Sequence, residues 1–308
     1  MNDDAIFAIA LSNAPGVGPA TYRALCGRFG DARSVFTAER RSLESFRRLR
    51  PETVAAVANG EDLLRSARAT AARLAEHGYN VISIGSRTYP NRLLDLRDPP
   101  PVLYSLGPLP GPRTRTFSVA GSKTPSARGA EIAHAAGREL ARTGWTTASG
   151  YAPGIDTAAH VGALEAGGQT VLILPMGVFT FALRPEYEPF HSQLGRKLTV
   201  VSECLPDEPW SSRAAVRRDR LIAALGWALL AVEAQPDGGT MITFRHALRL
   251  GRPAYVVKYR RAPGGASGNR LALRAGGLPV ESIGVFKRII RAAELPRVAL
   301  AARQGELF

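Results

Sequence analysis

The sequence has little cysteine, no long apolar run and a deficit of acidic residues. Its two cysteines, Cys26 and Cys204, are too few and too far apart in a chain of 308 residues for a disulfide framework or a zinc site, so we expect both to be small buried apolar residues. No stretch approaches the length of a membrane-spanning helix, and Asp3 and Asp4 stand where a signal peptide carries basic residues. These absences predict a cytoplasmic protein without membrane insertion.

Acidic residues are outnumbered by basic ones, 26 against 40, which gives a net charge of +14 at pH 7. The excess is local, because residues 245–308 hold 13 Lys and Arg but 3 Asp and Glu. Concentrated positive charge favours a polyanionic partner, and nucleic acid fits better than a membrane because no amphipathic lysine-rich anchor is present. A solvated basic surface without a partner has the same composition, so charge alone leaves both interpretations open.

The chain is long enough for two domains, and its hydrophobic periodicity changes at residue 79. In residues 1–78, apolar positions three and four apart predict helices, including a long one from Glu61 to His77 that Gly78 closes. The run Ala14–Ala20 predicts the tight turn of a helix-hairpin-helix or SAM-like domain. Amides at such a turn can receive a DNA phosphate, although the same turn occurs in domains that bind no nucleic acid.

Strand and helix patterns alternate in the rest of the chain. A strand is predicted at 80–84, and from residue 116 the order is strand 117–120, helix 128–142, strand 145–148, helix 156–166, strand 170–174, strand 198–202, helix 213–225, strand 228–232, helix 240–250 and strand 254–257. Such alternation builds a parallel sheet with helices on both faces. We therefore predict an α/β fold: an extended Rossmann-like, doubly wound, mostly parallel sheet over residues 79–290, followed by a C-terminal tail at 291–308.

Three glycine-containing loops follow predicted strands, and ligands bind at that end of a doubly wound sheet. The loop at 121–124 offers free amides, two hydroxyls and the Lys123 ammonium to a phosphate, but its order Gly-Ser-Lys does not match a nucleotide-hydrolysing P-loop. The loop at 237–240 opens a helix with two glycines, and Thr240 either caps that helix or contacts a phosphate. These loops predict a phosphate site and give no support for ATP hydrolysis.

The glycine loop at 149–156 leads into a helix that carries Asp156 and, one turn later, His160. This pair invites a catalytic or metal-binding interpretation, but no further set of metal ligands stands nearby in the sequence. We expect Asp156 to cap the helix and His160 to make a buried hydrogen bond. No metal site is predicted.

Three arginines occur within four residues inside the helix predicted over 213–225. Guanidinium groups bind phosphate and stack on bases, so Arg217, Arg218 and Arg220 are candidate nucleic-acid ligands. A solvated helix start has the same residue types, and that alternative stays open. The nucleophile elbow, the two-histidine zinc helix and the full dinucleotide fingerprint are absent from the sequence, so we predict no catalytic residues and no cofactor.

Together these segments resemble the DprA/Smf family of bacterial DNA-processing proteins. The resemblance covers most of the chain, and its residues are the N-terminal hairpin domain, Ala120–Lys123, Ser149–Gly150, Gly154–His160, Arg218–Ile222, Gly238–Thr243 and Gly268–Leu271. The run Gly-Ile-Asp-Thr-Ala-Ala-His at 154–160 is the most specific of these. The resemblance implies a non-enzymatic homodimer that binds and protects single-stranded DNA and loads a RecA-type recombinase on it in natural transformation or recombination.

The resemblance also implies that the DNA backbone lies in a basic pocket of the Rossmann-like domain. Carried over residue by residue, the phosphate-binding set is Gly121, Ser122, Lys123, Gly150, Gly154, Arg218, Arg220, Gly239, Thr240 and Asn269. Lys258 is added for its place after the last predicted strand, where the family usually has a proline and glycine. Two residues depart from the family pattern, Pro153 where a basic residue is common and Asp219 where asparagine is usual. Pro153 removes a charge and an amide, and Asp219 adds a negative charge. We expect either a shifted DNA path or a changed ligand.

A nucleotide-binding sensor or nucleotide-cleaving enzyme, including one in phage defence, is the alternative. Hydrolases related to this fold follow a similar glycine loop with a catalytic glutamate, whereas Met241 and Ile242 occupy that stretch here. This difference counts against hydrolysis. We also expect no winged-helix domain after Val285, although many relatives carry one.

Overall fold

A computed structural model of the protein describes residues 3–47 and 49–293, which form two compact units. The first unit comprises the described residues up to Tyr89 together with Arg97–Ser105, and the second comprises Pro90–Leu96 and the described residues from Leu106 onward. Within these ranges no helix has both the length and the apolar character needed to span a bilayer.

The first unit is built from helices and a pair of antiparallel strands. Its elements are α1 (Asp3–Ser12), α2 (Pro19–Phe29), α3 (Ala32–Thr37), α4 (Arg40–Glu44), α5 (Pro51–Ala58), α6 (Glu61–Glu76), β1 (Asn80–Ser83) and β2 (Val102–Leu106). The predicted turn between α1 and α2 is present, with Gly16 at φ +75° and Pro19 as the first residue of α2. The predicted closure of α6 is also present, because Gly78 at φ +72° lets the Tyr79 amide donate to the Leu74 carbonyl at 2.8 Å.

The first unit extends beyond the predicted boundary at residue 78. Residues 80–83, predicted to belong to the Rossmann-like domain, pair antiparallel with residues 102–105. The second of these strands was not among the predicted elements. Contacts of β1 with α1 and α6 join this pair of strands to the helices of the first unit.

The second unit alternates strands and helices as predicted. Its elements are β3 (Thr116–Ala120), α7 (Ala127–Arg142), β4 (Thr146–Gly150), α8 (Ile155–Glu165), β5 (Thr170–Ile173), β6 (Leu198–Ser202), α9 (Ser212–Leu225), β7 (Leu229–Ala231), α10 (Gly239–Arg249), β8 (Ala254–Val257), α11 (Asn269–Arg274), β9 (Leu278–Val280) and α12 (Ile283–Ala292). Turns of 3₁₀-helix lie at Asn91–Asp95, Pro185–Gln193 and Gly264–Ala266. The elements α11, β9 and α12 were not predicted, and α12 overlaps the start of the predicted tail, of which residues 294–308 lie outside the described residues.

The strands of the second unit form a parallel sheet in the order β6-β5-β4-β3-β7-β8-β9. The chain winds outward from β3 to one side through β4, β5 and β6 and to the other side through β7, β8 and β9. This is the doubly wound, Rossmann-like arrangement that the sequence predicts. The carboxyl ends of β3, β4 and β7 consequently meet at the crevice where the winding reverses.

Both faces of this sheet are covered by helices. On one face Phe117 packs edge-on against Trp145 and Phe286, with ring centroids 5.7 Å and 5.4 Å apart, and the Trp145 indole N–H donates to the Ile290 carbonyl at 3.1 Å. On the other face Met241 and Phe244 of α10 pack with residues of β7 and β8. Burial on both faces explains why β7 and β8 are continuous apolar runs.

Helices α7 and α8 pack closely through two glycines. A Cβ on Gly137 would lie 2.0 Å from the Ala159 carbonyl oxygen, and one on Gly162 would lie 2.1 Å from the His134 carbonyl oxygen. Because α8 also carries the second glycine loop at its start, this contact sets the position of that loop.

We predict that Gly162→Ala lowers the free energy of unfolding by about 1–3 kcal/mol, because overpacking against backbone outweighs the gain in helix propensity. Gly27→Ala in α2 is the matched control, since a Cβ there meets nothing within 4 Å. The control should be neutral or more stable by about 0.5–1 kcal/mol. Urea unfolding measures both, and a G162A variant as stable as the wild type would contradict this packing.

Candidate phosphate-binding site

A pocket of about 730 Å³ opens at the carboxyl ends of β3, β4 and β7. We call it the switch-point pocket. It is lined by Ala120–Thr124, Tyr151–Pro153, Asp156, Pro175, Trp210, Ser212, Ala215, Val216, Arg218, Asp219, Ile222, Gln235, Gly238–Thr240 and Thr243. All three glycine loops that the sequence singled out contribute to this lining.

The first glycine loop, between β3 and α7, is fixed by the start of α8. A Cβ on Gly121 would lie 2.5 Å from the Ile155 side chain, and the Ile155 amide donates to the Ser122 carbonyl at 3.1 Å. Lys123 is exposed at the pocket. The loop thus has a defined backbone and a cation that reaches solvent.

A buried glutamate that the sequence analysis missed holds the other end of this loop. Glu233 is fully buried just after β7, and its carboxylate accepts hydrogen bonds from the Ser126 amide at 3.1 Å and the Ser126 hydroxyl at 2.5 Å. Ser126 in turn caps α7 by accepting from the Gly129 amide at 3.0 Å. The position of Glu233 at the end of a central strand was the signal that could have found it.

The second glycine loop packs directly on the first. Gly154 has φ +80°, and a Cβ there would lie 2.5 Å from the Ser122 carbonyl oxygen and 2.6 Å from that of Lys123. Only glycine suits this conformation and this approach. Gly154 therefore brings two loops together rather than lining the pocket.

Asp156 was predicted to cap α8, but it does not. The helix begins one residue earlier, and Gly154 is its N-cap. The Asp156 carboxylate, buried in the first turn, instead accepts from the Ala152 amide at 3.3 Å and lines the pocket. Burial raises the pKa of this carboxyl, and the Arg218 guanidinium opposes that rise.

His160 makes the buried hydrogen bonds that the sequence predicts. Its ring is fully buried, with Nε2 2.9 Å from the Gly150 carbonyl oxygen and Nδ1 2.5 Å from the Thr170 hydroxyl. Burial lowers its pKa to about 4, so the imidazole is neutral at pH 7 and Nε2–H donates to Gly150. The His160 side chain thus holds the last residue of β4 in place through this hydrogen bond.

The third glycine loop places the start of α10 at the pocket. Gly238 is the N-cap, and Gly239 and Thr240 are the first residues of the helix. The first amides of a helix have no intrahelical acceptor and its N-terminus carries partial positive charge. Thr240 therefore does not cap the helix with its side chain, and it lines the pocket beside these amides.

Arg218 and Asp219 of α9 form the charged floor of the pocket, and both are buried. Arg218 Nη1 donates to the Ile173 carbonyl at 2.7 Å, and its Nε lies 3.4 Å from Asp219 Oδ1. The guanidinium occupies the space beside Gly150, where a Cβ would lie 1.9 Å from Nη1. Gly150 thus makes room for Arg218 and is not itself part of the lining.

Asp219 also faces the start of α10. Its Oδ2 lies 3.0 Å from where a Cβ on Gly239 would stand, so the carboxylate is close to the amides that would receive a phosphate. Burial raises its pKa to about 7, with Arg218 and Lys123 opposing the rise and Asp156 adding to it. This residue is the departure from the family pattern with the clearest electrostatic consequence.

Arg220, Lys258 and Asn269 were predicted phosphate ligands, but none lines the pocket. Arg220 lies about 200° around α9 from Arg218 and points away, where its Nη2 donates to Glu203 Oε2 at 2.7 Å. Lys258 directly follows β8, which is separated from β3 by β7. Its Nζ lies 2.8 Å from Glu281 Oε1. The pocket is consequently less basic than the resemblance implies.

Asn269 connects the ends of two strands instead. Its Nδ2 donates to the carbonyls of Val232 and Val257, each at 2.8 Å, and its Oδ1 accepts from the Ala234 amide at 2.8 Å. The side-chain amide is buried and these contacts use its main hydrogen-bonding directions. Its role is to tie β7 to β8.

Sequence reasoning also missed Arg184 and Trp210. Arg184 lies over the Tyr151 ring at 4.5 Å and donates to the Ala152 carbonyl at 3.2 Å, which supports the second glycine loop from a segment distant in sequence. Trp210 lines the pocket and is 54% exposed. Its place directly before a predicted helix gave no signal, since a single aromatic residue there has no pattern.

The chemistry of the pocket is that of an anion site with mixed charge. Backbone amides from two glycine loops and the Lys123 ammonium face a floor in which Arg218 is flanked by two carboxylates. Among the described residues, no group of three or more His, Cys, Asp or Glu side chains is placed to hold a metal ion.

Residues 80–286 match the family model of DNA recombination-mediator protein A. The chain is 29% identical over 183 residues to the DNA processing protein DprA of Bacillus subtilis, a match that covers 59% of this chain and 61% of that protein. It is 30% identical over 207 residues to protein Smf of Escherichia coli, covering 67% of this chain and 55% of that protein. The chain therefore spans about half to three fifths of the length of these curated relatives.

Two solved structures have a similar fold. The structure of DNA processing protein A from Streptococcus pneumoniae superposes with a TM-score of 0.73 at 22% identity, covering 96% of this chain and 99% of that one. That of DNA processing protein A from Helicobacter pylori, studied for its single-stranded DNA binding mode, gives a TM-score of 0.59 at 21% identity, covering 69% and 95%. With a family match over residues 80–286 and the motifs above, the chain belongs to the DprA/Smf family of DNA recombination-mediator protein A.

Proposed function

We propose that this protein binds single-stranded DNA in the switch-point pocket without cutting it, protects the strand and passes it to a RecA-type recombinase. In this proposal it acts as a homodimer in the cytoplasm during natural transformation or a related recombination process. The observation that carries the proposal is the convergence of two glycine loops, a helix N-terminus and an exposed lysine on one pocket. The Helicobacter relative, studied for its binding of single-stranded DNA, supports the choice of ligand.

The donors of the pocket suit a sugar-phosphate backbone. Amides of residues 121–123 and 239–240 would bind the phosphate and not the base, which gives binding without sequence preference. The Gly238 amide already donates to the Gln235 carbonyl at 3.1 Å, and the Thr124 amide donates to the Ser122 hydroxyl at 3.2 Å. Lys123 adds a screened, salt-dependent attraction. Basic residues exposed beyond the pocket, including Arg245, Arg249, Arg260 and Arg270, would extend the attraction to neighbouring phosphates.

Two side chains that could carry out chemistry, those of His160 and Arg218, are engaged in structural contacts, which supports a binding role. His160 is buried behind the sheet end with both ring nitrogens in hydrogen bonds. Arg218 is held by Ile173 and Asp219. Met241, which stands where related hydrolases have a catalytic glutamate, is part of the core.

A nucleotide-binding sensor is the second candidate. A pocket of about 730 Å³ with two carboxylates, an arginine and a lysine in its lining could accommodate a mononucleotide, whose sugar hydroxyls or base amino groups would pair with the carboxylates. Competition separates the two candidates. If mononucleotides bind saturably and oligo-dT does not, the sensor replaces the DNA-binding proposal.

We predict that Lys123→Glu weakens binding of oligo-dT by about 1–3 kcal/mol, because an attraction to phosphate becomes a repulsion. Lys123→Ala should in addition reduce the slope of log K against log salt by about 0.7, as expected when one contact to a single strand is lost. Fluorescence anisotropy at two salt concentrations measures both effects.

Lys258→Ala is the matched control for this prediction, since Lys258 is exposed, lies outside the pocket and pairs with Glu281. Its oligo-dT affinity should stay within about twofold of wild type if the strand contacts the pocket, because a surface pair contributes little. Equal losses in the Lys123 and Lys258 variants would show that general charge, and not the pocket, controls binding.

We predict that oligo-dT binding strengthens as the pH falls from 8 to 6. The pKa of Asp219 is raised to about 7, so its carboxyl is ionised and repels phosphate above that pH and is neutral below it. Repulsion of about 1 kcal/mol for charges near 4 Å in water corresponds to about a fivefold change in affinity. Asp219→Asn should bind at pH 8 as the wild type does at pH 6 and show a flatter pH profile.

The same raised pKa has an effect on stability with a definite sign. A carboxyl whose pKa is higher in the folded than in the unfolded chain binds more protons when folded, so the free energy of unfolding falls as pH rises from about 4 through 7. Asp219→Asn should remove part of that decline in urea unfolding. A D219N variant with the wild-type pH profile in both binding and unfolding would contradict the assignment.

A further inference from the structure

The switch-point pocket has a second wall that is apolar and partly exposed. Trp210 and Val216 both line the pocket, and they are 54% and 49% exposed. They lie on the loop before α9 and on its second turn, whereas the phosphate donors belong to the loops after β3 and β7. An exposed apolar residue is common by itself. Two of them on the wall of a pocket whose other wall presents amides form an amphipathic site.

The backbone that carries Trp210 is fixed on both sides. The Glu208 carbonyl accepts from the Gly177 amide at 2.7 Å, and the Pro206 carbonyl accepts from the Phe179 amide at 2.9 Å. Immediately after Trp210, Ser211 caps α9 by accepting from the Ala214 amide at 3.1 Å. The indole is therefore presented on a defined backbone, and a ligand that packs on it does not first have to order a loop.

Trp210 differs in this respect from the other aromatic residue of the pocket. The Tyr151 ring already contacts the Arg184 guanidinium at 4.5 Å and the Phe181 ring at 5.2 Å, and its hydroxyl donates to the Ala182 carbonyl at 2.6 Å. Among the described residues, Trp210 makes no ring or guanidinium contact of this kind. Its exposed face is the aromatic surface of the pocket that is available to a ligand.

We propose that Trp210 and Val216 form a base-stacking shelf, which takes one nucleobase of the strand whose phosphate binds the glycine loops. The inference rests on the proposed function and deepens it. Indole stacks on every base, so the shelf adds affinity without adding sequence preference. Bases in a duplex are paired and stacked on each other, so the shelf favours single-stranded over double-stranded nucleic acid.

The test compares two probes that carry equal phosphate charge. One is oligo-dT, and the other is an abasic oligonucleotide of the same length, which has the backbone without bases. We expect wild-type protein to bind oligo-dT more tightly, and Trp210→Ala to lose about 5- to 20-fold in affinity for oligo-dT while its affinity for the abasic strand stays unchanged. Trp210→Phe should keep part of the preference for oligo-dT because it retains an aromatic face.

Leu205→Ala is the matched control, since Leu205 is 46% exposed on the same loop and does not line the pocket. Its affinity for both probes should equal that of the wild type. Thermal unfolding of each variant should lie near wild type because both side chains are about half exposed and lie outside the core. Oligo-dT should also quench tryptophan fluorescence in the wild type and not in W210F, which retains Trp145 and Trp227.

The outcomes separate the inference from the proposed function. If the wild type binds oligo-dT and Trp210→Ala binds it equally well, the shelf is refuted and the phosphate site stands. If Trp210→Ala weakens both probes equally, Trp210 supports the backbone site and stacks on no base, which also refutes the shelf. If the wild type binds neither probe, both proposals fail.

Discussion

The winding of the parallel sheet outward from β3 is the constraint on which the rest of the structure depends. It brings the ends of β3, β4 and β7 to one crevice, and so collects glycine loops that are about thirty and eighty residues apart in sequence. The loops then fix each other: Gly154 packs on the first loop, and Glu233 holds the far end of that loop through Ser126. In the proposed function, this pre-formed set of amides is the physical basis of phosphate binding, since no loop has to be ordered when a ligand arrives.

The same crevice buries charge, and this sets the character of the site. Arg218 lies under the pocket between Asp156 and Asp219, and the space that it needs is provided by Gly150. The single positive charge of Arg218 is opposed by two carboxylates, and the pKa of one of them, Asp219, is about 7. The floor therefore has no net positive charge, and attraction for an anion comes from amides and from Lys123. Asp219 faces the start of α10, and its pKa is about 7, so the charge of the floor changes with pH. A family fold is thereby combined with a pocket of less positive charge than the resemblance implies.

Much of the fold was predictable because strand and helix periodicity and glycine punctuation are local signals. They located β3 to β8, the closure of α6 and the loops of the pocket. Side-chain roles were less predictable, since they depend on direction. Arg218 and Arg220 look equivalent in sequence, yet helix geometry sends one beneath the pocket and the other toward Glu203. The surroundings of Asn269 and Trp210 could not be read from the sequence for the same reason. Burial decides whether an amide or an indole makes contacts within the protein or is exposed to a ligand.

The most direct test of the central claim is a crystal structure of the protein with bound oligo-dT. The account predicts a phosphate within hydrogen-bonding distance of the backbone amides of residues 121–123 and 239–240, with Lys123 near the same phosphate. A strand that crosses another face of the second unit and leaves this crevice unfilled would contradict it.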